Sequence, residues 1–599
     1  MKNLVFALLI IIVISSCKKE DDTPGDNNGP VDSLTLAAVD SLLYNSYLTM
    51  RAWYGKENGY VLTECGTDLY TYGSDTKTLG LADYLSFYEG ETTDRLGSVW
   101  NELYRSVINC NAIIDILTGN NTMSEQELQY VAEASFLRAF YLWHIVETWG
   151  GTNYTTEWDS LSPGSFSMQP VDTFYARIFS DLAFAEANLP VNPASNTTLS
   201  KPVVEALLAR MHLTRGNYIQ AVEYAQKLID NTSYTLVDDY EQMWEISNRQ
   251  NSEVIYALDN TQYPDPLINY ADLIYEYPHT WILDVTFLSM REGGNQGHLM
   301  WEIRYENLDW GLTRDVENGR GFQRFFPTLF FIDLFNQQLD QRFNGSFKNT
   351  WFCNDENAIP VWKANYYIDG VQYNTEQSKV GNPMFSLGDT AILFSKDPYP
   401  AGQRASYFAD GHKSFHPEKG YMIFDINDMY DPDGAPSFES KRQFCFPITK
   451  KFMDATRLDS VQEYSSRNVY IIRLAEMFLI AAEASWQSGN TAAAYNYLIS
   501  LANKRSYTSD GEGLLSNYGV NGGGDITIDF LLDERARELA AEQLRWFDLK
   551  RTGKLVQRVS ANNTDAALNI QEYHNLRPIP LEFVFLRYKS DDLIQNPGY

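Results

Sequence analysis

The stretch Asp529-Phe-Leu-Leu-Asp-Glu-Arg-Ala-Arg-Glu-Leu-Ala-Ala-Glu-Gln-Leu-Arg-Trp-Phe-Asp-Leu-Lys-Arg-Thr-Gly553 decides how the chain is read. Leu532, Ala536, Leu539, Leu544 and Phe547 recur at helical spacing, so a single amphipathic helix is expected here. Thr527 caps its start, Asp529 suits the positive end, Lys550 and Arg551 suit the negative end, and Gly553 stops it. On that helix Asp533 reaches Arg537, Arg535 reaches Glu538, and Glu542 reaches Arg545. Trp546 and Phe547 beside Arg545 and Asp548 indicate that the charged edge is covered by other chain. Glu534, Arg535, Glu538, Glu542, Arg545 and Asp548 therefore read as an internal ion-pair network that holds the last helix in place.

Working outward, Ala209-x6-Gly216-Asn217-x3-Ala221-x2-Tyr224-x3-Leu228 is matched by Ala482-x6-Gly489-Asn490-x3-Ala494-x2-Tyr497-x3-Leu501. Small residues let two antiparallel helices approach, and Gly-Asn turns between them, as in a tetratricopeptide hairpin. Helices are also expected over Ser33 to Met50, Asp94 to Leu117, Ser124 to Trp149 and Val171 to Asn188. The third opens on a capping-box pattern, Ser124-Glu-Gln-Glu127. Between the hairpins, residues 235–469 change texture to Tyr, Trp, Asp, Asn, Gly and Pro, with short β-like runs such as Glu253 to Leu258. One helix is expected there, from Thr328 to Gln338. The fold class that follows is mainly α: a tetratricopeptide-like helical-hairpin scaffold (33–234 and 470–599) carrying one large, loop-rich insertion with short strands.

The formal net charge of −31 opposes nucleic acid as a partner, since polyanion binding needs a basic face. At the N-terminus, Lys2 precedes an apolar run from Leu4 to Ile14, eleven residues against the about 20 a membrane span needs. Residues 1–16 therefore read as a signal peptide. Ile14-Ser15-Ser16-Cys17 resembles a lipoprotein cleavage box, which makes Cys17 the expected lipidation site and lipid the expected route to the membrane; ordinary secretion with an incidental Cys is the alternative. Lys19-Glu20-Asp21-Asp22 resembles the tag that sends lipoproteins of Bacteroidetes-type bacteria to the cell surface, and residues 17–32 read as a flexible tether. Cys65, Cys110, Cys353 and Cys445 suit neither zinc nor a disulfide framework, and Cys110 is expected in the core.

Enzyme motifs are absent. His412 and His416 lack the Glu of a helical zinc-protease motif, and no GxSxG elbow, P-loop or dinucleotide fingerprint occurs. The acidic loop from Asp425 to Gly434 misses EF-hand spacing and reads as a solvated turn. No catalytic residue, cofactor or metal is assigned. Aromatic residues make up 14% of the chain, and Trp281, Trp301, Trp310, Trp351 and Trp362 all fall in the insertion. A flat ring buries the apolar face of a sugar while nearby carboxylates, amides and Arg bond its hydroxyls. Candidate ligand-binding residues are Trp301, Trp310, Tyr305, Arg304, Asp309 and Trp281, with Asp68, Tyr70 and Tyr72 in an early loop. Trp301 and Trp310 lead, because Gly, Asn and Asp surround them.

Taken together the motifs resemble the SusD/RagB family of outer-membrane nutrient-binding lipoproteins. The opening stretch carries the most specific match, Glu534-Arg535-x2-Glu538-Leu539-x2-Glu542-x2-Arg545-Trp546-x-Asp548-Leu549-x-Arg551. Gln543 stands where members usually have Gly, a departure read as harmless within a helix. Arg473-Leu-Ala-Glu476, Leu576-Arg-Pro-Ile-Pro580, Gln595-Asn-Pro-Gly-Tyr599, and Ala132-Glu-Ala134 through Arg138-Ala139 to Trp149-Gly-Gly151 also fit. The resemblance implies non-catalytic capture of oligosaccharides, or of peptides in some members, by a surface lid on a SusC-like TonB-dependent transporter. A surface glycosidase or a purely structural scaffold are the further alternatives.

Overall fold

The computed structural model describes residues 33–74, 79–85, 91–119, 122–152, 168–260, 294–368, 371–397, 415–416, 418–436, 446–463, 465–580 and 594–599. Cys17, Trp281, His412 and Cys445 lie outside them. Four front helices form where the apolar stripes predict, α1 (Ser33–Trp53), α3 (Glu91–Thr118), α4 (Glu125–Trp149) and α5 (Val171–Asn188), and a short α2 (Glu57–Thr63) that they do not predict follows α1. The capping box at α4 is present: Glu127 N–H donates to Ser124 Oγ (3.3 Å), and Ser124 N–H donates to the Glu127 carboxylate (2.7 Å). The helix stops at Gly150, whose φ of 78° suits glycine. From Val131 to Trp149 every residue of α4 except Glu133 is buried, as expected of a helix with core on all sides. Cys110 lies in the same core, and burial pushes its thiol up to about 12.

The repeat forms two helical hairpins. In the first, α6 (Lys201–Thr214) turns at Gly216 (φ 72°) into α7 (Tyr218–Ile229). In the second, α8 (Leu474–Gln487) turns at Gly489 (φ 86°) into α9 (Thr491–Arg505). Ala209, Ala221, Ala482 and Ala494 are all fully buried at the close approaches. Though far apart in sequence, the hairpins stack on each other. Arg210 grips Glu476 with two hydrogen bonds (2.8 and 2.6 Å), and Tyr497 Oη donates to Gln226 (2.5 Å).

The insertion enters and leaves this scaffold at one place, because β2 (Val254–Leu258) pairs antiparallel with β9 (Val469–Arg473). An early strand, β1 (Tyr70–Tyr72), pairs with β3 (Phe325–Pro327) and ties the front loop to the insertion. The rest is short: a three-stranded sheet of β4 (Thr350–Phe352), β7 (Thr390–Ser395) and β8 (Met422–Asp425), a hairpin of β5 (Asn365–Ile368) and β6 (Val371–Asn374), and a two-residue antiparallel pairing of Phe347–Lys348 with Ile448–Thr449. The helix expected from Thr328 to Gln338 covers only Leu329–Asp333. Thr328 caps its start, accepting from Phe331 N–H, but Lys396 Nζ draws off the carbonyls of Ile332 (2.9 Å) and Phe335 (3.2 Å), so the chain turns away.

The opening stretch is also not one helix. It divides into α11 (Ile528–Leu539) and α12 (Arg545–Arg551), following α10 (Gly511–Asn517) and preceding α13 (Leu555–Asn562). Ala541 (φ 66°) and Gln543 (φ 64°) adopt left-handed conformations between the two, which explains why a glycine suits position 543. Gln543 is therefore a substitution at a strained turn rather than a harmless change within a helix. Its strain is offset by hydrogen bonding: its N–H donates to Glu64 (2.8 Å), Nε2 donates to Trp53 O (2.8 Å), and Oε1 accepts from Gly55 N–H (3.0 Å).

The charges also take partners other than their helical neighbours. Asp533 pairs with Arg558 rather than Arg537, Arg535 with Asp548 rather than Glu538, and Arg545 with Asp68 rather than Glu542. Glu538 instead receives Arg505 and Arg473, and Glu542 receives Lys451 and Arg473. The network is internal, but it binds the insertion as well as the hairpins. The remaining sequence motifs meet elsewhere: Asn596 Nδ2 donates to Trp149 O (3.0 Å) and Arg577 O (2.8 Å), while Trp149 Nε1 donates to Pro578 O (3.1 Å).

Candidate functional site

Most of the candidate residues are inside the molecule. Trp301 is only 1% exposed, stacked on Phe452 (centroids 5.3 Å apart) and met edge-on by Tyr60 (4.8 Å). Five-residue helix Gly297–Trp301 carries it inward, and Gly321 and Gly297 let neighbouring chain press close. Tyr70 joins the same aromatic core and bonds Thr449 (2.6 Å). Tyr305 is buried, with Oη donating to Gly319 O (3.1 Å) and accepting from Asp315 N–H (3.0 Å). Asp68 is buried against Arg545 (2.8 and 2.6 Å) and Arg558 (2.8 Å). Burial alone would raise its carboxyl, but the two guanidiniums hold it below the usual range. Polar neighbours in sequence suggest exposure for Trp301, but Asn295, His298 and Glu302 are buried with it, as Thr67 and Thr71 are beside Asp68 and Tyr70. Arg304 and Asp309 are exposed, Asp309 in a left-handed conformation at the end of a 3-10 turn, and Tyr72 is half-buried.

Trp310 belongs to a second, outer group. Its ring lies 5.4 Å from Phe415, and its Nε1 donates to Gly420 O (3.1 Å). Phe415 also meets Tyr366 (4.6 Å) and Trp362 (5.9 Å) edge-on, and Lys379 sits over the Trp362 ring. Tyr366 and Tyr373 are directly paired across the β5–β6 hairpin, so they share one face; both are half-buried. The opposite face presents Asn365, Gln372 and Asn374, all exposed. Of these rings Tyr366 and Tyr373 are the half-exposed ones, so theirs is the aromatic edge that can rest against a sugar ring. Sequence reading found Trp310 and Trp362 here but missed Tyr366, Tyr373 and Phe415. The alternation Asn365-Tyr366 opposite Tyr373-Asn374 was the available signal.

Beneath Trp301, the Glu302 carboxyl is fully buried and accepts from Ile303 N–H (3.0 Å). Burial pushes it up to about 8; Lys348 opposes this and Glu306 adds to it. A carboxyl raised in the folded state stabilises fully below its unfolded value of 4.5 and loses that stability as pH rises through about 8. Glu302→Gln is therefore expected to leave melting at pH 4 nearly unchanged and to raise the melting temperature by a few degrees at pH 8.5. Parallel pH profiles for the two proteins would contradict it.

Residues 306–599 match the SusD family. Residues 26–213 match a second SusD-like family, described as starch-binding and associating with the outer membrane. The chain belongs to the SusD family. Among SusD-like relatives, one from Formosa agariphila is 25% identical over 495 residues, covering 81% of this chain and 76% of its own length. A solved laminarin-binding SusD-like protein superposes with a TM-score of 0.58 at 20% identity, covering 94% of this chain and 99% of that one. The surface glycan-binding protein A of Bacteroides fluxus gives 0.61 at 16% identity, covering 95% and 100%. The SusD fold thus extends over nearly the whole chain, scaffold and insertion together.

Proposed function

We propose that this SusD-family protein captures oligosaccharides at the outer membrane without cleaving them and passes them to a SusC-like TonB-dependent transporter. The observation that carries the reading is the membership itself, within a family one of whose matching descriptions is starch-binding. Glycan binding in the names of two structural neighbours, and the half-exposed Tyr366–Tyr373 pair of the outer aromatic group, support it. The Cys17 box and the acidic tag after it support a lipid anchor and an outward orientation. The net charge of −31 supports a second reading, capture of basic peptides.

Titration calorimetry of the purified protein against neutral oligosaccharides, uronate-bearing oligosaccharides and basic peptides separates the two. Binding to neutral oligosaccharides is expected, with no new reducing ends after incubation. Tyr366→Ala combined with Tyr373→Ala is expected to weaken it about tenfold, or about 1.4 kcal/mol. Released reducing ends would overturn the non-catalytic reading, and binding confined to peptides would overturn the glycan one.

A further inference from the structure

An open cleft of about 560 Å³ lies between the turn that follows helix Leu329–Asp333, the Tyr518 turn after α10, and the outer side of α11. That volume falls within the range of sites that take small molecules, about 300–1,000 Å³. None of its walls belongs to the Trp310–Phe415 aromatic group.

Two hydrogen-bond donors in the walls are buried without a partner. Arg537 has a side chain only 3% exposed. Its Nε donates to Glu534 (2.8 Å) and its Nη1 to Leu334 O (3.3 Å), yet Nη2 meets no acceptor among the described residues. The guanidinium is held in place over the Tyr518 ring, 3.9 Å from its centroid. Gln337 Nε2 is likewise buried and unmatched. Buried donors are nearly always satisfied in folded proteins, so two among the residues of one cleft mark it as a place where a small side-chain shift would offer donors to an acceptor from outside.

The charges restrict what that acceptor is. Arg537 is answered by Glu534, Lys396 by Asp333 (3.4 Å), and Asp533 by Arg558. Asp397 at the rim adds one more negative charge. Among the described residues no cation of the lining is left over for an anionic ligand. A neutral ligand rich in hydroxyls fits, because each hydroxyl both accepts from Arg537 or Gln337 and donates to Asp333 or Asp397. The half-buried Tyr518 supplies apolar surface beside them.

We propose that this cleft is a second saccharide-binding site, taking a neutral sugar chain independently of the outer aromatic group. The proposal rests on the glycan reading above. The test is calorimetric stoichiometry on the full chain with short neutral oligosaccharides, using two variants. Gln338→Trp places a bulky ring on an exposed position of the wall, and Gln337→Ala removes an unmatched donor. The wild type is expected to bind at two sites. Either variant should weaken one of them at least tenfold and leave the site at Tyr366 and Tyr373 intact. A wild type that binds glycan at one site, with both variants unchanged, overturns the second site and leaves the function standing. Binding at the cleft only of uronate or sulfated sugars overturns the neutral class. A wild type that binds no saccharide overturns the functional reading and this site with it.

Discussion

Glu538→Ala is expected to destabilise the protein by about 3–5 kcal/mol, the cost of leaving charges buried without their partner. Glu538 is fully buried. Its carboxylate accepts from Arg473 (3.1 Å), from two nitrogens of Arg505 (both 3.0 Å) and from Arg342 (3.5 Å). Burial works to raise its pKa, but the three guanidiniums win and hold it well below the ordinary carboxylate range. Around it, Arg342, Lys451, Arg473, Arg505 and Arg537 face Asp340, Glu253, Glu534, Glu538 and Glu542, so charge is balanced only while all are present. Deleting one carboxylate leaves a net positive charge in a region of low dielectric. The lost contacts also join three parts of the chain: Arg342 comes from the insertion, Arg505 from the second hairpin, and Glu538 from α11. A carboxyl with a lowered folded pKa contributes stability above its unfolded value and loses it as pH falls, so acid should unfold the wild type through this same group. Urea denaturation at pH 7 measures the loss, and a midpoint equal to that of the wild type would show that the network contributes nothing. Sugar binding at the outer aromatic group should be unaffected in the remaining folded protein, since no residue of the network belongs to that group.

Local pattern made the scaffold legible. Val171–Asn188 coincides with its apolar stripe, Ser124 caps where its motif says, and two Gly-Asn turns separate four helices. These are effects of residues within one or two turns of each other. What failed depended on distant chain. The α11–α12 break is fixed by Glu64 accepting from Ala541 N–H (3.3 Å) and Gln543 N–H (2.8 Å) across the molecule, which helical periodicity does not register. The ion pairs went the same way: neighbours at i,i+4 gain a few tenths of a kcal/mol at most, about 0.2–0.5, and a bidentate buried partner such as Asp68 for Arg545 outweighs that. The network was foreseeable as internal because Trp546 and Phe547 flank it, but its partners in the insertion were not. In the insertion the polar residues around Trp301 are themselves packed or turned out, so local composition misjudged its exposure.

Trp301→Ala, the change that a surface-platform reading would treat as harmless to folding, is expected to cost about 3–5 kcal/mol instead. The indole fills the centre of a cluster in which Phe325 lies 5.0 Å away, Phe452 5.3 Å, Tyr60 4.8 Å and Tyr70 6.0 Å. Those rings come from α2, β1, β3 and the end of the insertion, so they cannot all collapse into the space without breaking the β1–β3 pairing. The cost is therefore lost burial plus a cavity. Trp310→Ala is the informative control. That ring is 8% exposed and rests mainly on Phe415, at the margin of the outer group, so its loss should destabilise less and should weaken glycan binding by disturbing Tyr366 through Phe415. Combining thermal unfolding with sugar titration separates the two roles: Trp301→Ala should lower the melting temperature and leave the affinity of the folded fraction intact, and Trp310→Ala should do more to affinity than to melting. A stable Trp301→Ala protein that had lost sugar binding would return Trp301 to the ligand face and displace the outer aromatic group from that role.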